Sequence, residues 1–335
     1  MKKIMVLGGS GFVGSQLCEK LARQGWLVTV PTRRRTNASH LLHLPGLTVL
    51  EFDVHNEVAL TAALPGHDAV VNLVAILHGT QAAFDKTHVA LPEKIARAAL
   101  ASGVAHVVQI SALGAQDEQP SSPSSMYLRS KSRGEAALMR SAPATRDAGF
   151  SLTILRPSVI FGAEDKFLNL FARLQQIAPF VPLAGADALF QPVWVQDVAL
   201  AVVRCLAQSR SPGGQQPPLV LELCGPEVYT LKQLVQLAGQ LSGVRQGRGR
   251  PVFGLPDWLA WPQAALMELL PGEPLMSRDN LASMRTPNVA GGKLPGLALL
   301  GITPAALPPL AAVYLTQNQP HQGMQGLRQR ASRRP

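Results

Sequence analysis

Short runs of aliphatic and β-branched residues recur through the first half of the chain, and between them apolar positions return at helical spacing. Ile4 to Leu7, Leu27 to Val30, Leu47 to Phe52, Ala69 to Leu73, His106 to Ile110 and Leu152 to Leu155 read as strands. Their near-continuous apolar character suits a sheet covered on both faces, which favours parallel pairing. Helices fit between them at Val13 to Arg23, Val58 to Leu64, Thr87 to Ser102 and Tyr127 to Arg140. This alternation predicts an α/β fold, a Rossmann-type doubly wound parallel sheet built from residues 1–160.

Past Arg156-Pro157 the rhythm becomes irregular. Helices are expected at Asp165 to Ile177, Val198 to Ala207, Leu231 to Leu241 and Asp257 to Leu270, and one more strand, Leu219 to Leu223, is expected to rejoin the sheet. Residues 161–315 read as a smaller, mainly helical lobe of the kind that covers a ligand at the carboxyl edge of the strands. Leu294 to Leu327 carries no charge, and Leu294 to Leu315 is long enough to cross a bilayer as one helix. Pro295, Pro304, Pro308 and Pro309 argue against a single span, so a packed or membrane-grazing segment is expected. Residues 316–335, rich in Gln and Arg without apolar periodicity, read as a disordered basic tail.

With 335 residues and 47% apolar side chains, the chain can bury a sizeable core. That excludes a wholly disordered protein and a disulfide-stapled miniprotein. Charged residues make up 16%, so the surface is rich in neutral side chains and suited to contact with a partner or a membrane. The net charge of +10 resides in three acid-free clusters: Arg33-Arg34-Arg35, Arg245 with Arg248 and Arg250, and Arg328, Arg330, Arg333 and Arg334 in the tail. The remainder is balanced, so no dispersed basic face for duplex nucleic acid is evident. Aromatics, at 5%, are too few for a base-stacking platform. Cys18, Cys205 and Cys224 form no metal-ligand spacing and suit a reducing compartment. Lys2-Lys3 and the apolar Ile4-Met5-Val6-Leu7 imitate a signal peptide, but Gly8-Gly9-Ser10-Gly11 ends that run. The expectation is a mature start at Met1 and a cytoplasmic location, including the face of the inner (cytoplasmic) membrane.

Chemistry concentrates at two places. Gly8-Gly9-Ser10-Gly11-Phe12-Val13-Gly14 follows the first strand and opens the first helix. A turn this tight, with backbone close to a pyrophosphate, needs residues without a Cβ at Gly8 and Gly11, and Gly14 allows close packing of helix on strand. At the end of the second strand, where an acid would bind the ribose of NAD, stands Thr32-Arg33-Arg34-Arg35. Guanidinium groups there suit a 2′-phosphate, which favours NADP(H) over NAD(H); the alternative is a solvated charge run. Asp53, closing the third strand, is a candidate for the adenine amino group or for capping the next helix. The second place is Tyr127-Leu128-Arg129-Ser130-Lys131, whose spacing sets Tyr127 and Lys131 on one helical face. An ammonium beside the phenol is expected to lower its pKa and fit it for proton exchange with a hydroxyl or carbonyl.

These motifs, with Leu155 to Gly162 and Gln191 to Ala199, resemble the extended short-chain dehydrogenase/reductase superfamily. Ser111 to Ala115 followed by Tyr127 to Glu135 is similar to an atypical group within it, the bacterial relatives of the alpha-subcomplex subunit nine accessory protein of mitochondrial NADH:ubiquinone oxidoreductase. Leu270 to Leu275, Arg278-Asp279-Asn280 and Leu300 to Pro304 look similar too. The resemblance implies a nicotinamide dinucleotide site that also takes in Val54, Leu73, Ala75, Pro157 and Val159. It implies a catalytic Tyr127 and Lys131, with a Ser or Thr at the end of the fifth strand. Ala112 stands at that position and Ser111 one residue early, so strand alternation is expected to turn Ser111 away from the substrate, and Ser124 or Ser125 is a substitute. The implied role is an accessory or redox-sensing factor of respiratory NADH:ubiquinone oxidoreductase or quinone metabolism. The competing roles are an active NADP-dependent oxidoreductase or epimerase on a carbonyl or quinone-like substrate, and a lipid- or nucleic-acid-binding adaptor acting through the Arg tail.

Other candidates read as structural. His40 and His43 lack a third ligand, so no metal site is expected. Asp197 reads as a helix cap with a family-implied place near the substrate pocket. Trp258 and Trp261 read as core packing or as an interfacial, quinone-facing surface.

Overall fold

Strands β1 (Lys3–Leu7), β2 (Leu27–Thr32), β3 (Leu47–Glu51), β4 (Ala69–Asn72), β5 (His106–Ile110) and β6 (Ser151–Pro157) alternate with helices α1 (Phe12–Arg23), α2 (Glu57–Ala63), α3 (Gln81–Phe84), α4 (Leu91–Ser102) and α5 (Met126–Ser141). Then follow β7 (Ile160–Phe161), α6 (Leu168–Ile177), β8 (Val181–Leu183), β9 (Leu189–Phe190), β10 (Val193–Trp194), α7 (Val195–Ala207), β11 (Leu219–Leu223), β12 (Tyr229–Thr230), α8 (Leu231–Leu241), β13 (Val252–Gly254), α9 (Arg278–Ser283) and α10 (Leu307–Gln317). This computed structural model describes residues 2–115, 125–142, 149–208, 217–256, 258–262 and 277–317.

Seven strands form one parallel sheet in the order β11-β6-β5-β4-β1-β2-β3. The order reverses between β1 and β4, which sets a crevice at their carboxyl ends. Alternation along β1 supplies both cores. Ile4 and Val6 pack under α1 and α7 with Leu17, Leu21, Val198 and Val202. Met5 and Leu7 pack under α2, α4 and α5 with Leu60, Ile95 and Leu138. A third core, with Phe161, Phe171, Leu234 and Tyr314, lies in the second half of the chain.

Within residues 294–317, the uncharged segment contributes side chains to the protein's own cores. Leu297, Leu300 and Ile302 join the α1/α7 core, and Leu307, Ala311, Tyr314 and Leu315 join the third. Tyr314 donates to Asp165 Oδ2 at 2.8 Å, anchoring α10 beside α6. Among the described residues no helix is long and apolar enough to cross a membrane. The proline-rich run therefore fills protein core, where each proline falls between or at the start of short elements.

Some boundaries differ from expectation for identifiable reasons. The helix expected from Thr87 begins at Gln81 and passes through a π-helical turn, Asp85–Ala90, before α4. α6 begins at Leu168, because the Asp165 carboxylate accepts the Phe167, Leu168 and Asn169 N–H groups and so precedes the helix. Of the helix expected at Asp257 to Leu270, Trp258–Pro262 is helical, and the rest lies outside the described residues, as do Ser124, Leu270 to Leu275 and the Arg-rich tail.

Candidate functional site

The glycine turn is built from backbone alone. Gly8 has φ +80°, and a Cβ there would stand 3.2 Å from Leu73 C and Val74 N on the neighbouring strand end. A Cβ on Gly14 would lie 2.3 Å from Gly8 O and 2.6 Å from Gly9 Cα, both backbone atoms that cannot swing aside. α1 opens at Gly11 with no side-chain cap and no acid in its first turn, so its N-terminal amides and dipole face the crevice uncontested. Ser10, Phe12 and Val13 are half-buried around the turn. Leu73 N–H donates to Leu7 O at 2.9 Å, which carries β4 alongside Gly8. Leu73 is half-buried and Ala75 exposed on the same rim.

At the end of β2, buried Thr32 donates to Arg34 O at 3.2 Å and shapes a turn that leaves Arg33 and Arg34 exposed. Arg35 is committed elsewhere: its N–H meets Glu51 Oε2 at 2.8 Å and its guanidinium meets Val49 O at 3.4 Å. Asp53 is exposed, and its Oδ1 accepts the His55 N–H at 3.0 Å. Capping of α2 falls instead to Asn56, which accepts the Ala59 N–H at 3.2 Å. Asp53 and Arg33 both act on His55, whose pKa is lowered mainly by burial, so the two predicted cofactor residues share one corner with half-buried Val54. His40 sits against the first turn of α1 with Nε2 2.9 Å from Ser15 Oγ.

Tyr127 and Lys131 do lie on one face of α5, with Lys131 Nζ 5.9 Å from the Tyr127 ring centroid. The ammonium donates to Ile110 O at 3.2 Å. Burial pulls its pKa down to about 8, against a partial upward pull from Glu135. The expectation of a lowered phenol pKa is not met, because burial pushes Tyr127 up to about 12. Phe84 and His88 wall the phenol edge-on, at centroid distances of 6.2 and 5.5 Å.

His88, which sequence reasoning missed, joins two parts of the site. Ile76 N–H donates to its Nε2 at 3.1 Å, so Nδ1 carries the proton and donates to Ser130 Oγ at 2.8 Å. Ser130 in turn donates to Tyr127 O at 2.7 Å. Burial, helped by the Lys131 charge, holds the imidazole neutral, with a pKa of about 3. The π-helical turn aims the ring there, a deviation often found at functional sites. No periodicity marks such a histidine in advance.

Below the Tyr127 face, Glu135 and Arg156 form a buried two-pronged ion pair at 3.0 and 2.5 Å, fixing α5 to β6. Asn72 donates to Gln109 Oε1 at 2.9 Å, and Gln109 donates to the same Ile110 O that receives Lys131. Along β5, Val107 packs toward α5, whereas Val108 and Ile110 pack toward α7. The Ser111 and Leu113 N–H groups continue the pairing to Leu155 O and Pro157 O. Alternation therefore turns Ser111 toward α5 and Ala112 away, the reverse of the expected orientation. The Ser111 hydroxyl is buried without a hydrogen-bond partner among the described residues.

The second half of the chain supplies the remaining walls. Pro157 is buried and Val159 half-buried. Asn288 Oδ1 accepts from Ser158 Oγ at 2.6 Å and from Val159 N–H at 2.9 Å. Ser125 caps α5 and donates to Asp279 Oδ2 at 3.0 Å. Asp197 does not cap α7, since its Oδ2 accepts the Ala305 N–H at 2.8 Å. Trp258 and Trp261, 73% and 53% exposed, are not core residues. No group of three or more metal-ligating side chains occurs among the described residues.

The model of the NAD dependent epimerase/dehydratase family matches residues 4–217. The chain belongs to that family. Within it, the chain is similar to NADH dehydrogenase [ubiquinone] 1 alpha subcomplex subunit 9, mitochondrial, of Mus musculus, with 31% identity covering 90% of this chain and 76% of the relative. The Arabidopsis thaliana protein of the same name is 33% identical over 69% of this chain, and the match spans 56% of that relative's length. The NADH-ubiquinone oxidoreductase 40 kDa subunit of Neurospora crassa is 27% identical over 92% of this chain and 78% of its own. Among solved structures, the Bordetella bronchiseptica enzyme WbmH in complex with NAD+ superposes with a TM-score of 0.67 at 18% identity, covering 95% of this chain and 99% of that one. This likeness concerns the fold.

Proposed function

We propose that this protein holds NADP(H) as a structural or redox-sensing group and serves as an accessory factor of respiratory NADH:ubiquinone oxidoreductase or of quinone metabolism, at the cytoplasmic face of the inner membrane. Gly8, Ser10, Gly11, Phe12, Val13 and Gly14 would receive the pyrophosphate, Arg33 and Arg34 the 2′-phosphate, and Asp53 with Val54 the adenine side. Leu73, Ala75, Pro157 and Val159 would line the remaining length. When bound, the nicotinamide supplies hydride chemistry. The observation that carries the reading is the glycine turn, where Gly8 and Gly14 stand so close to neighbouring backbone that a Cβ at either would clash, the close approach a pyrophosphate site uses. Identity to the mouse subunit over most of the chain supports the accessory role. Exposed Phe180, Phe253, Trp258 and Trp261, with exposed Arg245 and Arg248, support contact with a partner or an anionic membrane surface.

The orientation of Ser111 favours a second reading, an oxidoreductase in which Tyr127 is the general acid, Lys131 positions ribose and Ser111 binds the reacting oxygen of a carbonyl or quinone-like substrate. The test of the first reading is a fluorescence titration of nucleotide-free protein with NADPH and NADH. Tighter binding of NADPH is the expected result. Equal or tighter binding of NADH removes the 2′-phosphate assignment, and binding of neither removes the function.

A further inference from the structure

The helix that carries Tyr127 is capped from outside its own half of the chain. Met126 N–H donates to Asp279 Oδ1 at 2.5 Å, Tyr127 N–H to Asp279 Oδ2 at 3.1 Å, and the Ser125 hydroxyl to Oδ2 at 3.0 Å. One carboxylate thus takes up the first free amides of α5, from a position more than 150 residues further along the chain. An acid in the first turn of a helix ordinarily serves its own N-terminus. α9 does not need Asp279, because Ser277 and Asn280 close a capping box around its start. The carboxylate is therefore directed at α5 and lies against the positive ends of two helices at once.

A separate observation ties the same segment to the turn that follows β6. Asn288 O accepts the Gln191 N–H at 3.0 Å, Asn288 N–H donates to Leu189 O at 2.8 Å, and the Asn288 amide oxygen holds Ser158 and Val159. Residues 277–288 thus brace the start of the Tyr127 helix and the Pro157–Val159 turn together. Beside them the Arg278 guanidinium lies 5.0 Å over the exposed Trp261 ring.

We propose that Asp279 is a positioning residue: it makes the order of the first turn of α5, and with it the hold on the nicotinamide end of a bound dinucleotide, depend on the seating of segment 277–288. This rests on the nucleotide reading above. Because linkage between sites is reciprocal, the dinucleotide must in turn steady the segment, and with it the Trp261 surface. Asp279→Asn retains an acceptor but not the charge, so its effect falls between that of the parent and that of Asp279→Ala.

The test is amide hydrogen exchange followed by mass spectrometry on the full chain, with and without saturating NADPH, for the parent, Asp279→Ala, Asp279→Asn and, as a remote control, Asp197→Ala. In Asp279→Ala the amides at the start of α5 are expected to exchange about tenfold faster or more, and NADPH to bind about tenfold more weakly. Asp279→Asn is expected in between, and Asp197→Ala unchanged at α5. In the parent, NADPH slows exchange across Arg278–Ser283, an effect that disappears in Asp279→Ala and that mere loss of stability would not abolish. Unchanged α5 exchange in Asp279→Ala overturns the proposal, as does NADPH protection of Arg278–Ser283 that survives the substitution. If the parent binds no NADPH, the nucleotide reading fails, and the α5 exchange rates alone then decide whether Asp279 orders the helix.

Discussion

The glycine cradle and the Tyr127 corner are built on opposite plans. The cradle is made of consecutive residues, Gly8 to Gly14, and its fit comes from backbone that no side chain could replace. The Tyr127 corner is assembled from Ile110, His88, Ser130, the Glu135–Arg156 pair and Asp279, which meet only because the whole chain has folded. A local site survives changes elsewhere in the protein. A site assembled from distant parts can lose its chemistry, or become subject to control, through any one of its supports.

The largest effect expected is at the ion pair under Tyr127. Arg156→Ala removes the guanidinium that pairs with the buried Glu135 carboxylate and should cost about 3–5 kcal/mol in urea unfolding. Combining it with Glu135→Leu should recover much of that loss. Full additivity of the two single changes would show that the pair is not a coupled buried unit. On the cradle side, Gly14→Ala forces a Cβ onto Gly8 O, with an overpacking cost of about 1–3 kcal/mol. NADPH binding should vanish while the amides of α5 keep their protection, and retained affinity would mean the close approach is not what shapes the turn.

Protonation sharpens the comparison further. Lys131 has a folded pKa of about 8 against 10.5 when free, so between these values the unfolded chain holds a proton that the folded protein has lost. Stability should therefore rise with pH across that window, by roughly 3 kcal/mol, and the rise should be missing from Lys131→Met. His88, with a folded pKa of about 3 against 6.5, gives the acid counterpart: stability falls as pH drops from 6.5 toward 3, less steeply in His88→Asn. The smallest effect should come from the exposed rim. Arg33→Ala with Arg34→Ala should weaken NADPH by about tenfold, more at low salt, with no change in NADH or in stability.

The sheet, its order around the glycine turn and the Tyr127–Lys131 face were legible because each is written in local spacing: apolar runs, G-x-x-G-x-x-G, and four residues on a helix. The supports were not. Asp279, His88 and Asn288 act through partners far along the chain, and nothing in their immediate neighbours marks them. The orientation of Ser111 follows from the packing of Val107 and Ile110 on opposite faces of the sheet, which the family position of Ala112 does not reveal. The Tyr127 phenol departs from expectation because sequence spacing reveals the charge of Lys131 but not the burial that both groups share. The uncharged, proline-rich run was open to two readings from sequence, since a bilayer and a protein core select the same side chains.

The claim most in need of test is that the dinucleotide is held rather than turned over. Protein saturated with NADPH should be mixed with a panel of carbonyls and quinones, and cofactor oxidation compared between the parent and Tyr127→Phe. The account predicts tight NADPH binding and the same negligible oxidation in both. Oxidation by the parent that is lost in Tyr127→Phe, with NADPH still bound, would contradict it and establish an enzyme.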